Sequence, residues 1–159
     1  MVQSTSVQRV ADAARELGLD IEIREFPEGT RTAEDAARAI GVAVGQIVKT
    51  LVFMADARPV ICLVSGPNRL DTGRLATITG AAQVRRANAD EVRQATGFAV
   101  GGVPPFGHST PVPMYCAPDL LQYDAVWAAG GTPMTVFAVE PQALVKACGA
   151  TVTGLKETD

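Results

Sequence analysis

The sequence predicts a mixed α/β fold of the α+β kind, a largely antiparallel β-sheet flanked by helices, built by 159 residues as a single domain spanning 1–159. Helical and strand periodicities alternate along the chain, and the apolar runs at 47–55 and 59–65 are spaced as a hairpin, a connection that pairs neighbours antiparallel. No linker of serine or proline and no repeat divides the chain. With 47% hydrophobic and 19% charged residues it has enough apolar surface for one buried core.

Val7, Val10, Ala14 and Leu17 recur at helical spacing, with Ser6 as the cap and Gly18 as a left-handed stop, so the chain should open on a helix. Residues 21–26 alternate apolar and polar up to Pro27, the pattern of a strand with one wet face. Thr32 with Asp35 resembles a capping box with the shorter acid, opening an alanine-rich helix that Gly41 closes. The two β-branched runs flank the turn Asp56-Ala57-Arg58 and read as a hairpin at the centre of the sheet. Residues 71–80 and 88–97 each begin on a capping residue and end on glycine, giving two short helices around a strand at 82–87. Further strands are expected at 113–116, 125–129 and 135–139, the last two joined by Gly130-Gly131-Thr132-Pro133. Pro141 then starts a final helix that Gly149 ends.

Fourteen basic residues against seventeen acidic ones leave a net charge of −3, which argues against indiscriminate binding of nucleic acid or membrane by the whole surface. The stretch 69–93 is an exception, with Arg69, Arg74, Arg85, Arg86 and Arg93 against Asp71, Asp90 and Glu91. It reads as a solvated face or as a patch for phosphates. Cys62, Cys116 and Cys148 stand apart without a C-x-x-C pair, and one histidine is left to complete a metal site, so no metal or other cofactor is expected. Unpaired thiols, no signal-like leader and no apolar run long enough to span a bilayer point to a cytoplasmic protein without a membrane partner.

Lys49 breaks the pattern of its own strand. Period-two alternation places it on the face of Ile47, Leu51 and Phe53, where a cation costs on the order of several kcal/mol unless it meets an anion or a wet cavity. A buried ion pair, an inward lysine guarding a sheet edge and a ligand-facing cation all satisfy that requirement. The chain carries eleven arginines and three lysines, so a compact ammonium here is a choice. The segment 97–108 packs glycines and prolines into a stiff loop, either a tight connection or a set of backbone N–H groups turned to a ligand oxygen. His108 is the sole imidazole, and neither a G-x-S-x-G elbow nor a phosphate-binding glycine loop is present. Gly130-Gly131 is most simply a hairpin turn, and beside a ligand it would admit a bulky group.

Taken together, Gln46-Ile47-Val48-Lys49-Thr50-Leu51, the segment from Thr96-Gly97-Phe98 to Gly107, and Gly130-Gly131 resemble the YbaK/ProX family of aminoacyl-tRNA editing domains, also called the prolyl-tRNA synthetase-associated domain. The resemblance runs from about Thr32 through the last helix. It implies a partly closed sheet and a trans-acting deacylase that hydrolyses the ester of mischarged tRNA, of the Cys- or Ala-tRNA(Pro) kind, in translational proofreading. The implied partners are the 3′ aminoacyl-adenosine end of that tRNA and an aminoacyl-tRNA synthetase. By the resemblance Lys49 matches the family's essential lysine, placed to hold the terminal adenosine or its phosphate. Gly101 and Pro105 match a G-x-x-x-P loop that shapes the aminoacyl pocket, and Gly130 and Gly131 match a glycine pair lining the same cleft. Phe26, Thr50, Gly102, Gly107 and His108 are counted with them as substrate-binding. Thr50 after the lysine is as in cysteine-releasing relatives, whereas alanine-releasing ones tend to have asparagine. The family is thought to use water or substrate groups in place of a protein nucleophile, which agrees with the missing triad. The competing expectation is a non-catalytic module of the same fold that binds tRNA or a synthetase.

Overall fold

In the structure, a computed structural model that describes residues 5–27 and 32–157, the elements run α1 (Thr5–Glu16), β1 (Arg24–Glu25), α2 (Ala33–Ile40), β2 (Val48–Ala55), β3 (Arg58–Ser65), α3 (Thr72–Thr79), β4 (Val84–Arg86), α4 (Ala89–Thr96), β5 (Met114–Cys116), β6 (Val126–Ala129), β7 (Thr135–Val139), α5 (Pro141–Cys148) and β8 (Thr151–Val152). Short 3-10 turns at Val44–Gln46 and Pro118–Gln122 lead into β2 and out of β5.

The expected hairpin is the centre of the molecule. β2 and β3 pair antiparallel along their whole length, from Val48 opposite Ser65 to Ala55 opposite Arg58, so the turn shortens to Asp56-Ala57 and Arg58 belongs to the strand. Asp56 takes a left-handed φ of 55°, and its carboxylate accepts the Ala82 and Gln83 N–H groups at 3.1 and 3.0 Å, tying the turn to the approach of β4. The larger sheet has the order β4-β2-β3-β5-β8, and a smaller one has the order β1-β7-β6. The two meet where Ile47 bridges Trp127, curling the strands around a shared core. Among the described residues four of the six strand pairs are antiparallel, and β3–β5 and β5–β8 are parallel. The mixed, largely antiparallel sheet flanked by helices is therefore as expected.

Both hairpin faces are buried over most of their length, which is why both runs are apolar apart from Lys49 and Thr50 and the strand ends. One face carries Val48, Val52, Ile61 and Leu63 into a core shared with Val10 and Ala14 of α1, Val126 and Ala128 of β6, and Phe137 of β7. The other carries Phe53, Cys62 and Val64 against Leu75 of α3. Local signals largely hold. Asn88 and Glu91 form a reciprocal capping box, and Asp71 accepts the Arg74 N–H. Thr32 accepts the Asp35 N–H, although the short Asp35 side chain does not complete the box.

Several boundaries differ. Ser6 lies inside α1 and does not cap it, and Leu17 is exposed because the helix ends one residue earlier, at Glu16. Of 21–26 only Arg24–Glu25 finds a partner strand, β7, and the strand at 82–87 narrows to Val84–Arg86. The exposed β8, which alternation does not reveal, exists because β5 offers it an edge.

Candidate functional site

The cleft forms where strand pairing stops. β4 covers β2 only at Phe53–Ala55, and β6 touches its other end through the Ile47–Trp127 bridge, so among the described residues no strand covers the Lys49–Leu51 stretch on that side. Thr50 turns its peptide groups to this gap, in register with Val52, whose carbonyl accepts the Ala87 N–H at 3.1 Å. A cleft of about 560 Å³ opens here. Its walls are Lys49, Thr50 and Leu51, Ala33 and Glu34 of α2, Gly66 and Pro67 after β3, Arg86 of β4, Val100, Gly101 and Val103, and Trp127 to Ala129 of β6. A gap of three residues closed at both ends has no room for an incoming strand, so Lys49 is not guarding an edge.

Nor is it half of an ion pair. The Lys49 ammonium donates to the main-chain carbonyl of Asn68, and among the described residues no carboxylate reaches it within ion-pairing distance. Burial, then the positive field of Arg86, push its pKa below the ordinary lysine value. Glu34 opposes that shift and Arg69 adds to it. Arg85 is held by Glu91 at 2.8 and 2.7 Å, whereas its neighbour Arg86 faces the cleft with no ion pair among the described residues. The wall thus carries two unneutralised cations and one acid, an arrangement suited to an anion. On the opposite face of β2 from Lys49, and bordering the same cleft, the Thr50 hydroxyl is buried without a hydrogen-bond partner among the described residues. Such a group costs about 1–3 kcal/mol unless a ligand satisfies it.

The glycine- and proline-rich loop is held against the opposite side of the cleft. The Thr96 hydroxyl donates to the Val92 carbonyl at 2.7 Å and accepts the Phe98 N–H at 3.1 Å. Arg9 of α1 donates to the Gly97 carbonyl at 2.8 Å and lays its guanidinium 4.3 Å from the centre of the Phe98 ring. Gly101 has a φ of +90°. Gly102 lies so close to the β6–β7 turn that a Cβ there would stand 2.7 Å from Thr132 Cα. Behind the loop, His108 Nε2 sits 2.7 Å from the Pro104 carbonyl; burial pushes its pKa down, the hydrogen bond opposes, and Arg9 adds to the fall.

Of the residues singled out from the sequence, the structure brings Lys49, Thr50 and Gly101 together in the cleft wall. It does not bring Phe26, Gly102, Pro105, Gly107, His108, Gly130 or Gly131 there. Phe26 donates its N–H to the Met134 carbonyl beside β7. The glycine pair makes room for the protein itself: a Cβ on Gly131, at φ +110°, would meet the Ser6 carbonyl oxygen of α1 at 2.8 Å, and one on Gly130 would meet Ile23 Cγ2 at 2.9 Å. Glu34, Val100 and Trp127 were not signalled, and Arg86 only as one of five arginines. Cys62 and Cys116 are buried thiols with pKa values pushed up to about 12, unsuited to nucleophilic work. Among the described residues no group of His, Cys, Asp and Glu converges where a metal ion would be held.

The aminoacyl-tRNA editing domain family matches residues 27–147. A curated relative from Enterococcus faecalis, named "Putative Cys-tRNA(Pro)/Cys-tRNA(Cys) deacylase EbsC", is 29% identical over 121 residues, covering 76% of this chain and 74% of that protein. The proline–tRNA ligase of Nitratidesulfovibrio vulgaris is 36% identical over 103 residues, 64% of this chain but 18% of that much longer enzyme. A crystal structure described as "a putative trans-editing enzyme for prolyl tRNA synthetase" superposes with a TM-score of 0.93 at 48% identity, over 99% of this chain and all of that one. With a family match over most of its length and a close structural relative along nearly all of it, the chain belongs to the aminoacyl-tRNA editing domain family.

Proposed function

We propose that this protein is a trans-acting deacylase that hydrolyses the ester between a small, wrongly attached amino acid and tRNA, cysteine or alanine on tRNA(Pro) being the substrates it fits best. The observation that carries this reading is the Lys49 ammonium, with no carboxylate against it among the described residues, on an uncovered stretch of β2 that also holds the unpartnered Thr50 hydroxyl, within the family-matched residues.

Lys49 uses one of its three donor protons on Asn68 and has two for a ligand, so with Arg86 it receives the phosphate of the terminal adenosine. That anchor lays the ester along β2, where Thr50 offers a hydroxyl and its peptide groups. Gly101 lets the facing loop approach closely. Water attacks the ester carbonyl carbon and the bond to the ribose oxygen breaks; one of the water's protons passes to that oxygen and the other to solvent, so that the amino acid leaves as a carboxylate. Donors fixed before reaction stabilise the charge on the carbonyl oxygen without reorganising. Gly102, Pro105, Gly107 and His108 shape the loop from behind, and Phe26, Gly130 and Gly131 set the strands that carry the far wall.

The partners are the aminoacyl-adenosine end of mischarged tRNA and a synthetase of the prolyl class. Among the described residues no helix is long and apolar enough to cross a membrane, and the cytoplasm, where tRNA is charged, is the setting. Single-turnover deacylation of Cys-tRNA(Pro), run beside a tRNA-binding assay, tests the reading: hydrolysis is expected, and binding without hydrolysis would leave only a binding module of this fold.

A further inference from the structure

The Lys49 ammonium rests on the Asn68 carbonyl, and what fixes that carbonyl lies outside the cleft. Residues 66–71 form an irregular connection between β3 and α3. A segment of this kind swings unless it is tied. The first tie is local, the Asn68 N–H donating to the Ser65 carbonyl at 3.0 Å. The second runs sideways: Asn68 Nδ2 donates to Asp119 Oδ2 at 2.9 Å, on the 3-10 turn after β5. The third is the segment 155–157. Leu70 bridges Lys156 antiparallel, with the Asp71 N–H on the Leu155 carbonyl and the Glu157 N–H on the Arg69 carbonyl, both at 2.7 Å. Lys156 then closes the circuit, its Nζ donating to the same Asp119 Oδ2 at 3.0 Å. Lys156 first, and Asn68 with it, hold the Asp119 carboxyl below the usual carboxylate range against the effect of burial.

We propose that Asp119 and Lys156 are positioning residues that brace Lys49 through Asn68, so that the segment 155–157 sets where the ammonium of the cleft stands. Neither side chain lines the cleft, and Lys156 lies beyond the residues matched by the family. The carbonyl is a well-chosen acceptor. A carboxylate in its place would neutralise the ammonium and compete with a substrate anion, whereas a braced dipole orients it and leaves its charge available. The effect on rate rests on the deacylase reading; the brace itself does not.

The test uses the full chain and competitive acetylation with acetic anhydride, read lysine by lysine by mass spectrometry. Lys146, exposed on α5, is the internal reference. Losing the braced acceptor disfavours the ammonium and frees the nitrogen, and both raise the acylation rate. In Asp119→Ala and in Asn68→Ala the Lys49/Lys146 labelling ratio should rise roughly three- to tenfold, the change one hydrogen bond commands. The double variant should rise no further, because both act through one chain of contacts. Asp119→Asn, which keeps an acceptor oxygen, should restore most of the wild-type ratio. Lys156→Ala, at an exposed site that leaves folding intact, should raise it by a smaller factor. In deacylation the same variants should raise KM for the mischarged tRNA with kcat little changed, in the same rank order. A wild-type labelling ratio in Asp119→Ala, or in Lys156→Ala should the former fail to fold, overturns the brace, as do effects that multiply in the double variant. Labelling that changes as expected in a protein that hydrolyses no mischarged tRNA would uphold the brace and reject the deacylase reading.

Discussion

Replacing Lys49 by alanine separates a substrate-facing cation from a structural one. The substitution removes a hydrogen bond from an ionised donor to the Asn68 carbonyl, worth about 1.5–3 kcal/mol. It also relieves the cost of holding a partly buried ammonium with no carboxylate against it among the described residues, which acts in the opposite sense and is reduced by solvent. The two oppose each other. Stability should change by no more than about 1 kcal/mol, which for a chain of this length moves Tm by roughly 2–4 °C. A lysine paired with a buried carboxylate would instead cost about 3–5 kcal/mol on truncation, a fall in Tm of roughly 10 °C or more. Activity should respond very differently. Loss of the cation that anchors the terminal phosphate removes about 1.5–3 kcal/mol of substrate binding, roughly a ten- to hundredfold fall in single-turnover kcat/KM. Thermal melts and single-turnover deacylation of Cys-tRNA(Pro) on the same preparation give both quantities. A stable Lys49→Ala protein with undiminished hydrolysis refutes the assignment of the cation, and a Tm drop of 10 °C or more refutes the claim that it is unpaired.

Because the Lys49 pKa lies below the ordinary 10.5 and the charged form is the working one, kcat/KM should fall as pH rises through that lowered value. In Lys49→Arg that alkaline limb should vanish, and its persistence would show that another group titrates. Gly102→Ala forces a methyl group against the Thr132 backbone and should destabilise by about 1–3 kcal/mol, read from chemical denaturation; a neutral result would mean that the two loops are free to separate. Arg85 first, and the Asn88 N–H with it, hold Glu91 at about 2 in the folded protein against an ordinary 4.5. Its contribution to stability is therefore complete above the unfolded value and is lost as pH falls from about 4.5 towards 2. Glu91→Gln should flatten that part of the Tm-versus-pH curve, and an unchanged acid limb would show that the pair does not matter.

The hairpin was legible because a strand buried on both faces is apolar at nearly every position, and the caps at Asp71 and Asn88 were legible because they are contacts three residues apart. β8 was not, since two exposed residues become a strand only when β5 lies beside them. The site divides in the same way. Lys49 announced itself as a charge inside an apolar run. The wall facing it joins α2, the end of β4, the 98–103 loop and β6, and nothing local in Glu34, Arg86 or Trp127 tells that they converge. The glycines show the limit most clearly. Gly130-Gly131 declared that something approaches closely, and sequence alone does not say whether that is a ligand or, as here, Ser6 and Ile23.

The cleft should discriminate by what is esterified to the tRNA, and a panel of Cys-tRNA(Pro), Ala-tRNA(Pro) and Pro-tRNA(Pro) under single-turnover conditions measures this directly. One of the two mischarged species should be hydrolysed about a hundredfold faster than the correct product, the scale on which a pocket separates side chains differing by a few atoms. Equal hydrolysis of all three, or hydrolysis of none, would contradict it.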